Sequence, residues 1–203
     1  MLNKIFSRIA TVSLLLAALT LTACFGGSTS EPTRYYTVAV ENIVMPSAEP
    51  AGKVQIRKFT IDPAYQRTNI VYRESAYDFM FYDLDLWASR PEHMIMQVVG
   101  EYVAKSNIFE SVEIKGNSIP SLEISGNISA IEEVDEGSSQ YAHLAMEITL
   151  RKPDSESALF EKRYDGKEPM DKREPRFMAE ATSKLLGKFM EDALDNFAKV
   201  NTK

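Results

Sequence analysis

One cysteine, two histidines and one tryptophan in 203 residues leave few ways to assemble reactive chemistry. The lone thiol, Cys24, excludes a disulfide within the chain. His93 and His143 stand far apart in sequence, and neither has a nearby His or Cys partner, so no zinc site or other metal centre is expected. Each reads instead as a surface or partly buried polar residue. No G-x-x-x-x-G-K-[ST] segment occurs, which excludes a phosphate loop, and no G-x-S-x-G turn offers a hydrolase serine. Positive charge is also scarce. Asp and Glu outnumber Lys and Arg by 29 to 23, a net −6. No basic stripe provides the counterion release that drives nucleic-acid binding. These absences point away from an enzyme, from a cofactor and from nucleic acid.

What is present begins with a leader. Lys4 and Arg8 form a basic start, and residues 9–21 form an apolar run rich in Leu and Ala. A bilayer span needs about 20 such residues, so the run has the length of a secretory h-region. Leu21-Thr22-Ala23-Cys24 follows and resembles the bacterial lipobox, in which cleavage before the cysteine precedes its lipidation. Residues 1–23 therefore read as a lipoprotein signal peptide, and Cys24 as the acylated anchor. Two or more acyl chains suffice for stable membrane attachment, and thioether formation removes a free thiol from an oxidising compartment. Residues 24–33, from Cys24 through a Gly- and Ser-containing stretch, read as a flexible tether. Phe25, where enteric-type inner-membrane retention commonly uses Asp, favours the outer membrane.

Residues 34–200 carry the folding information. Residues 35–40 and 69–73 are β-prone, and residues 54–61 form a strand whose apolar phase shifts between Ile56 and Phe59. Residues 42–52 read as a loop. Residues 77–86 are aromatic and continue as strand and turn. Ser89 is placed to cap a helix with Pro91 in its first turn, and Ile95, Val98, Val99, Tyr102 and Val103 share one helical face. Ser106-Asn107 ends that helix. Leu122, Ile124, Ile128 and Ala130 alternate with polar residues, as do Leu144, Met146, Ile148 and Leu150, the pattern of half-buried strands. Glu132-Glu133-Val134-Asp135-Glu136 reads as an exposed acidic turn, and Asp83 with Asp85 as a solvated loop face. Residues 152–157 join a further strand at 159–164. Met178, Ala181, Leu185, Phe189, Ala193 and Phe197 then line a last helix. The expectation is an α/β fold of α+β-like character: one domain, with a mixed β-sheet packed by two main amphipathic helices.

The most specific stretch is Ile70-Val71-Tyr72-Arg73-Glu74-Ser75-Ala76-Tyr77, then Phe81-Tyr82, Trp87-Ala88 and Pro91. Arg34-Tyr35-Tyr36-Thr37-Val38 and Ser106-Asn107-Ile108-Phe109 accompany it. Together they resemble the ABC-type transport auxiliary lipoproteins, the family that includes the paraquat-inducible protein C lipoproteins. The match departs from that pattern at Asp83-Leu84-Asp85-Leu86. The resemblance implies a non-catalytic outer-membrane lipoprotein facing the periplasm. It would serve a system that moves lipids or other hydrophobic molecules between membranes. Its implied partners are a tunnel protein with mammalian-cell-entry (MCE) domains, ABC or permease components, and further copies of itself in a ring. Arg73, Tyr77, Tyr82 and Trp87 are the candidate interface residues, since interfaces favour Tyr, Trp and Arg. Core packing is the competing role for the aromatics. An envelope-integrity or assembly lipoprotein that binds proteins without transport is the alternative function.

Cys24→Ala should abolish lipidation and leave the precursor uncut. Detergent partitioning and mass measurement check this. A processed, membrane-bound variant would contradict the anchor.

Overall fold

The computed structural model describes residues 31–114, 116 and 119–201. The leader, Cys24 and most of the tether lie outside the described residues. The described residues from Thr33 onward make one compact unit. In chain order its described elements are β1 (Arg34–Tyr36), β2 (Lys53–Ile56), β3 (Thr60–Ile61), β4 (Asn69–Arg73), β5 (Met80–Trp87), α1 (Pro91–Ser106), β6 (Ser111–Glu113), β7 (Leu122–Glu136), β8 (Ser139–Arg151), β9 (Ala158–Pro169) and α2 (Pro175–Asn201).

β7 is the spine. One edge pairs antiparallel with β8 from Glu123↔Arg151 to Glu136↔Ser139, and β8 pairs likewise with β9. The other edge takes three short strands end to end, all parallel: β2 at Val54↔Leu122, β3 at Thr60↔Asn127 and β4 at Tyr72↔Glu133. The sheet then forks. β6 extends it beyond β2, while β5 and then β1 extend it beyond β4. The fold is the mixed sheet with two helices that the patterning predicts.

The expected single strand at 54–61 is split, and the split has a cause. Phe59, fully buried, turns over β7 at Gly126, where an added Cβ would lie 2.4 Å from its ring. Only glycine leaves room there. β1 is shorter than the predicted 35–40 because the chain leaves the sheet to cross the helices. Its freed backbone donors find new acceptors: Val38 N–H bonds Met94 Sδ at 3.3 Å, Ala39 N–H bonds Ser183 Oγ at 3.0 Å, and Glu41 N–H bonds Tyr102 Oη at 2.7 Å.

Both helices bury the stripes that their periods predict. α2 packs on β8 and β9, and α1 on β3, β6 and β7. Side chains such as Tyr102 and Phe197, with no exposed surface, each contribute roughly 1.5–3 kcal/mol through burial. Ser89 does not cap α1. The N-cap is Arg90, without a side-chain bond, and Pro91, first in the helix, removes one of the N–H groups that a helix start leaves unpaired. Asn107, in the left-handed region at φ 54°, ends the helix as expected.

Two acidic expectations fail. Residues 132–136 are not an exposed turn: they complete β7, and the turn is Gly137 (φ +65°) with Ser138. Asp85 lies on β5 and is buried. β9 also runs five residues past the predicted 164, because pairing to Tyr141 through Ala145 holds an apolar-poor stretch extended.

Candidate functional site

The block at 70–91 lies where β4, β5 and the end of β7 meet, and a β-bulge determines its chemistry. Between Ile128↔Met146 and Ala130↔Ala145 the register shifts, leaving Ser129 as the extra residue on β7. Before it, Ile124 and Ile128 face the helices; after it, Ile131 and Glu133 do. Glu132 therefore emerges on the opposite, open face, and Glu133 points inward.

On the open face, the Glu132 carboxylate collects three donors. Arg73 Nε reaches Oε2 at 2.6 Å, Tyr65 Oη donates to the same oxygen at 2.5 Å, and His143 Nδ1 bonds Oε1 at 3.1 Å. His143 Nε2 bonds Asp165 Oδ1 at 3.0 Å. Burial alone would raise the Glu132 carboxyl, but the bonds from His143, Tyr65 and Arg73 outweigh it and hold it below the ordinary carboxylate value. His143 is raised, first by the hydrogen bond to Glu132, against burial and with help from Asp165. An imidazolium, with both ring nitrogens donating, would satisfy both carboxylates at once, the form that the raised value favours. Arg73 also stacks 4.9 Å from the Phe79 ring.

On the inner face, Tyr82 Oη donates to Glu133 Oε2 at 3.0 Å. Arg173, from the segment before α2, reaches Asp135 at 2.7 Å, Glu74 at 2.9 Å and Glu133 at 3.6 Å. Tyr72 and Tyr82 pack with centroids 4.9 Å apart. Glu133 has no exposed side-chain surface. Desolvation raises its carboxyl, the Tyr82 bond opposes that, and the nearby Asp135 charge adds to the rise. Adjacent carboxyls are thus shifted in opposite directions by one bulge. A third buried acid, Asp85, is clamped by Arg34 through two bonds of 2.7 and 3.0 Å and by Tyr36 Oη at 2.9 Å.

The four interface candidates are dispersed by this arrangement. Trp87 is 1% exposed and belongs to the core, so it offers no surface. Arg73 and Tyr82 are committed to Glu132 and Glu133. Tyr77 is 98% exposed, and Phe81 and Leu84 stand partly out beside it in sequence. Between Asn69↔Leu86 and Val71↔Phe81, β5 carries more residues than β4 and bulges over 82–85, where Leu84 lies; Tyr77 stands in the turn before β5. His93 is exposed, and His143 is partly buried, as expected. The carboxylate partners Tyr65, Arg173 and Arg34 were not legible in the sequence. The bulge left one signal, the apolar pair Ala130-Ile131 that breaks the alternation. Among the described residues no group of His, Cys, Asp and Glu is arranged to hold a metal ion, and no helix is long and apolar enough to cross a membrane. The Glu132 carboxylate is bonded at both oxygens, whereas Glu133 Oε1 and Asp135 Oδ1 are buried without a hydrogen-bond partner, Arg173 standing 3.6 Å from the former.

A family model described as the ABC-type transport auxiliary lipoprotein component matches residues 36–193. The chain belongs to this family. As an ABC-type transport auxiliary lipoprotein it is an auxiliary transport component, and its family is not a known enzyme family. Solved structures share the fold. The protein XCC0632 from Xanthomonas campestris has 14% identity and a TM-score of 0.70, covering 84% of this chain and 96% of its own. An uncharacterised protein has 12% identity and a TM-score of 0.62, covering 83% and 98%. The hypothetical protein CT253 from Chlamydia trachomatis has 6% identity and a TM-score of 0.50, covering 73% and 99%. At these identities the likeness concerns the fold alone. No curated protein sequence matches the chain.

The linked pair has a pH signature. His143, raised above its ordinary 6.5, contributes stability that is full below that value and is lost as pH rises through its folded pKa. Glu132, lowered from 4.5, contributes stability above that value and loses it as pH falls through its folded pKa. Urea midpoints of the wild type should therefore fall more steeply on the alkaline side than those of His143→Gln. Parallel curves would contradict a charged His143. Tyr82→Phe should cost about 1–3 kcal/mol by leaving Glu133 unsatisfied.

Proposed function

We propose that this auxiliary lipoprotein is the non-catalytic outer-membrane component of an ABC/MCE-type intermembrane transport system. It faces the periplasm and docks a periplasm-spanning tunnel protein. The cargo is a lipid or another hydrophobic molecule, and ATP is hydrolysed by a separate ABC component. Membership of the transport auxiliary family carries this reading. The lipobox at Cys24 supports membrane anchoring, and Phe25 supports sorting to the outer membrane. The exposed Tyr77, Phe81 and Leu84, near in sequence to the Arg73–Glu132 and Tyr82–Glu133 pairs, are candidate contact residues on a frame tied by those bonds. Aromatic anchors on such a frame lose little conformational entropy on docking. The same residues suit self-association into a ring, because acyl anchoring confines the copies to one surface and raises their effective concentration.

Affinity purification of the lipidated protein from membranes should recover an MCE-domain partner and assemblies larger than a monomer. A Tyr77→Asp/Phe81→Asp double variant should reduce that recovery by about thirtyfold, the loss of one hot spot, while keeping its thermal midpoint. Recovery of other envelope proteins without any transport component would contradict the transport reading. A strictly monomeric wild type would contradict the ring.

A further inference from the structure

At the end of the sheet away from the acidic pairs, four segments leave an open cleft of about 570 Å³. Its walls are Ala51 and Gly52 before β2, Leu122 at the start of β7, Ala158 and Leu159 at the start of β9, and Val200 near the end of α2. Small side chains at 51, 52 and 158 create the space. The wall is held by backbone bonds, Ala51 N–H to Ile108 O at 3.0 Å and Glu110 N–H to Gly52 O at 2.9 Å. Leu159 is 41% exposed although it flanks an apolar hollow. Among the described residues the one charged member of the lining is Lys152, in the turn between β8 and β9. Its ammonium has no ion-pair or hydrogen-bond partner among the described residues. Asp154 and Glu156 share its turn but do not line the cleft.

We propose that this cleft binds a single long-chain fatty acid, with the acyl chain on the apolar wall and the carboxylate on Lys152. Its size falls within the ~300–1,000 Å³ of small-ligand sites, which are mostly apolar with a few placed polar groups. A water occupies roughly 30 Å³ and a methylene is of similar size, so the space suits on the order of twenty methylenes, one chain rather than two. The Lys152 ammonium, the one charged group of the lining among the described residues, matches a small, singly charged anionic head. The site does not rest on the transport reading, because binding is a property of this chain alone. Its failure would leave the docking reading untouched, and failure to recover a tunnel partner would leave the site untouched.

The test uses the full lipidated protein in phosphatidylcholine nanodiscs, labelled with a photoreactive palmitate and mapped by peptide mass analysis. Adducts should fall on residues 51–52, 122, 158–159 and 200. Lys152→Glu, in an exposed turn, should reduce palmitate labelling about tenfold while sparing the matching photoreactive alcohol. Ala158→Trp should remove labelling by both probes; Leu159→Asp replaces it if its thermal midpoint falls. Adducts scattered over the surface would overturn the proposal, as would palmitate labelling that ignores Lys152→Glu or alcohol labelling that survives a filled cleft.

Discussion

A single inserted residue, Ser129, sets the polarity of this fold. In a strand, side chains alternate strictly between faces, so one extra residue exchanges the faces of everything beyond it. β7 needs that exchange. Its first half buries Ile124 and Ile128 beneath the helices, and its second half carries two consecutive glutamates that must find partners. With the bulge, Glu132 meets Arg73, Tyr65 and His143 on the open face, while Glu133 meets Tyr82 and Arg173 on the inner one. Were Ser129 paired on β8 instead, Glu133 would emerge on the side of Arg73 and His143, and Glu132 would turn toward Tyr82. Burying a carboxylate away from its partners is far costlier than a bulge.

The consequence for function is stiffness rather than reactivity. Arg73 lies on β4, His143 on β8 and Asp165 on β9, so the Glu132 network ties four strands together across β7. Arg173 ties the entry of α2 to the acidic end of β7 and to Glu74. Between these ties, the bulged β5 holds Phe81 and Leu84 partly in solvent, next to the fully exposed Tyr77.

Much of this was readable from residue periods. The two helical stripes, the strands around Ile124 and Leu144, β4 at 69–73 and the Asn107 stop all lie where apolar spacing places them. The acidic run at 132–136 misled because its meaning is non-local. Charge clusters usually mark solvated turns, and only long-range partners from β4, β8 and the segment before α2 make this one a strand end. Asp85 misled for the same reason, since its partner Arg34 lies 51 residues away. Trp87 joined a recognisable aromatic block, but the pairing of β5 with β1 and β4 sends it into the core while Tyr77 stays outside. Lys152 and its cleft had no sequence signature, because the cleft's walls come from four separated segments.

Urea unfolding of two length variants tests the bulge most directly. Deletion of Ser129 makes Ile128 and Ala130 ordinary neighbours with their pairings and faces unchanged, so it should stay cooperative and near the wild-type midpoint. One alanine inserted between Ala145 and Met146 gives Ser129 a partner on β8 and exchanges the faces beyond it, so it should destabilise the protein by about 3 kcal/mol or more by stranding Glu132 and Glu133 away from their partners. An insertion variant that unfolds cooperatively at the wild-type midpoint would contradict the account.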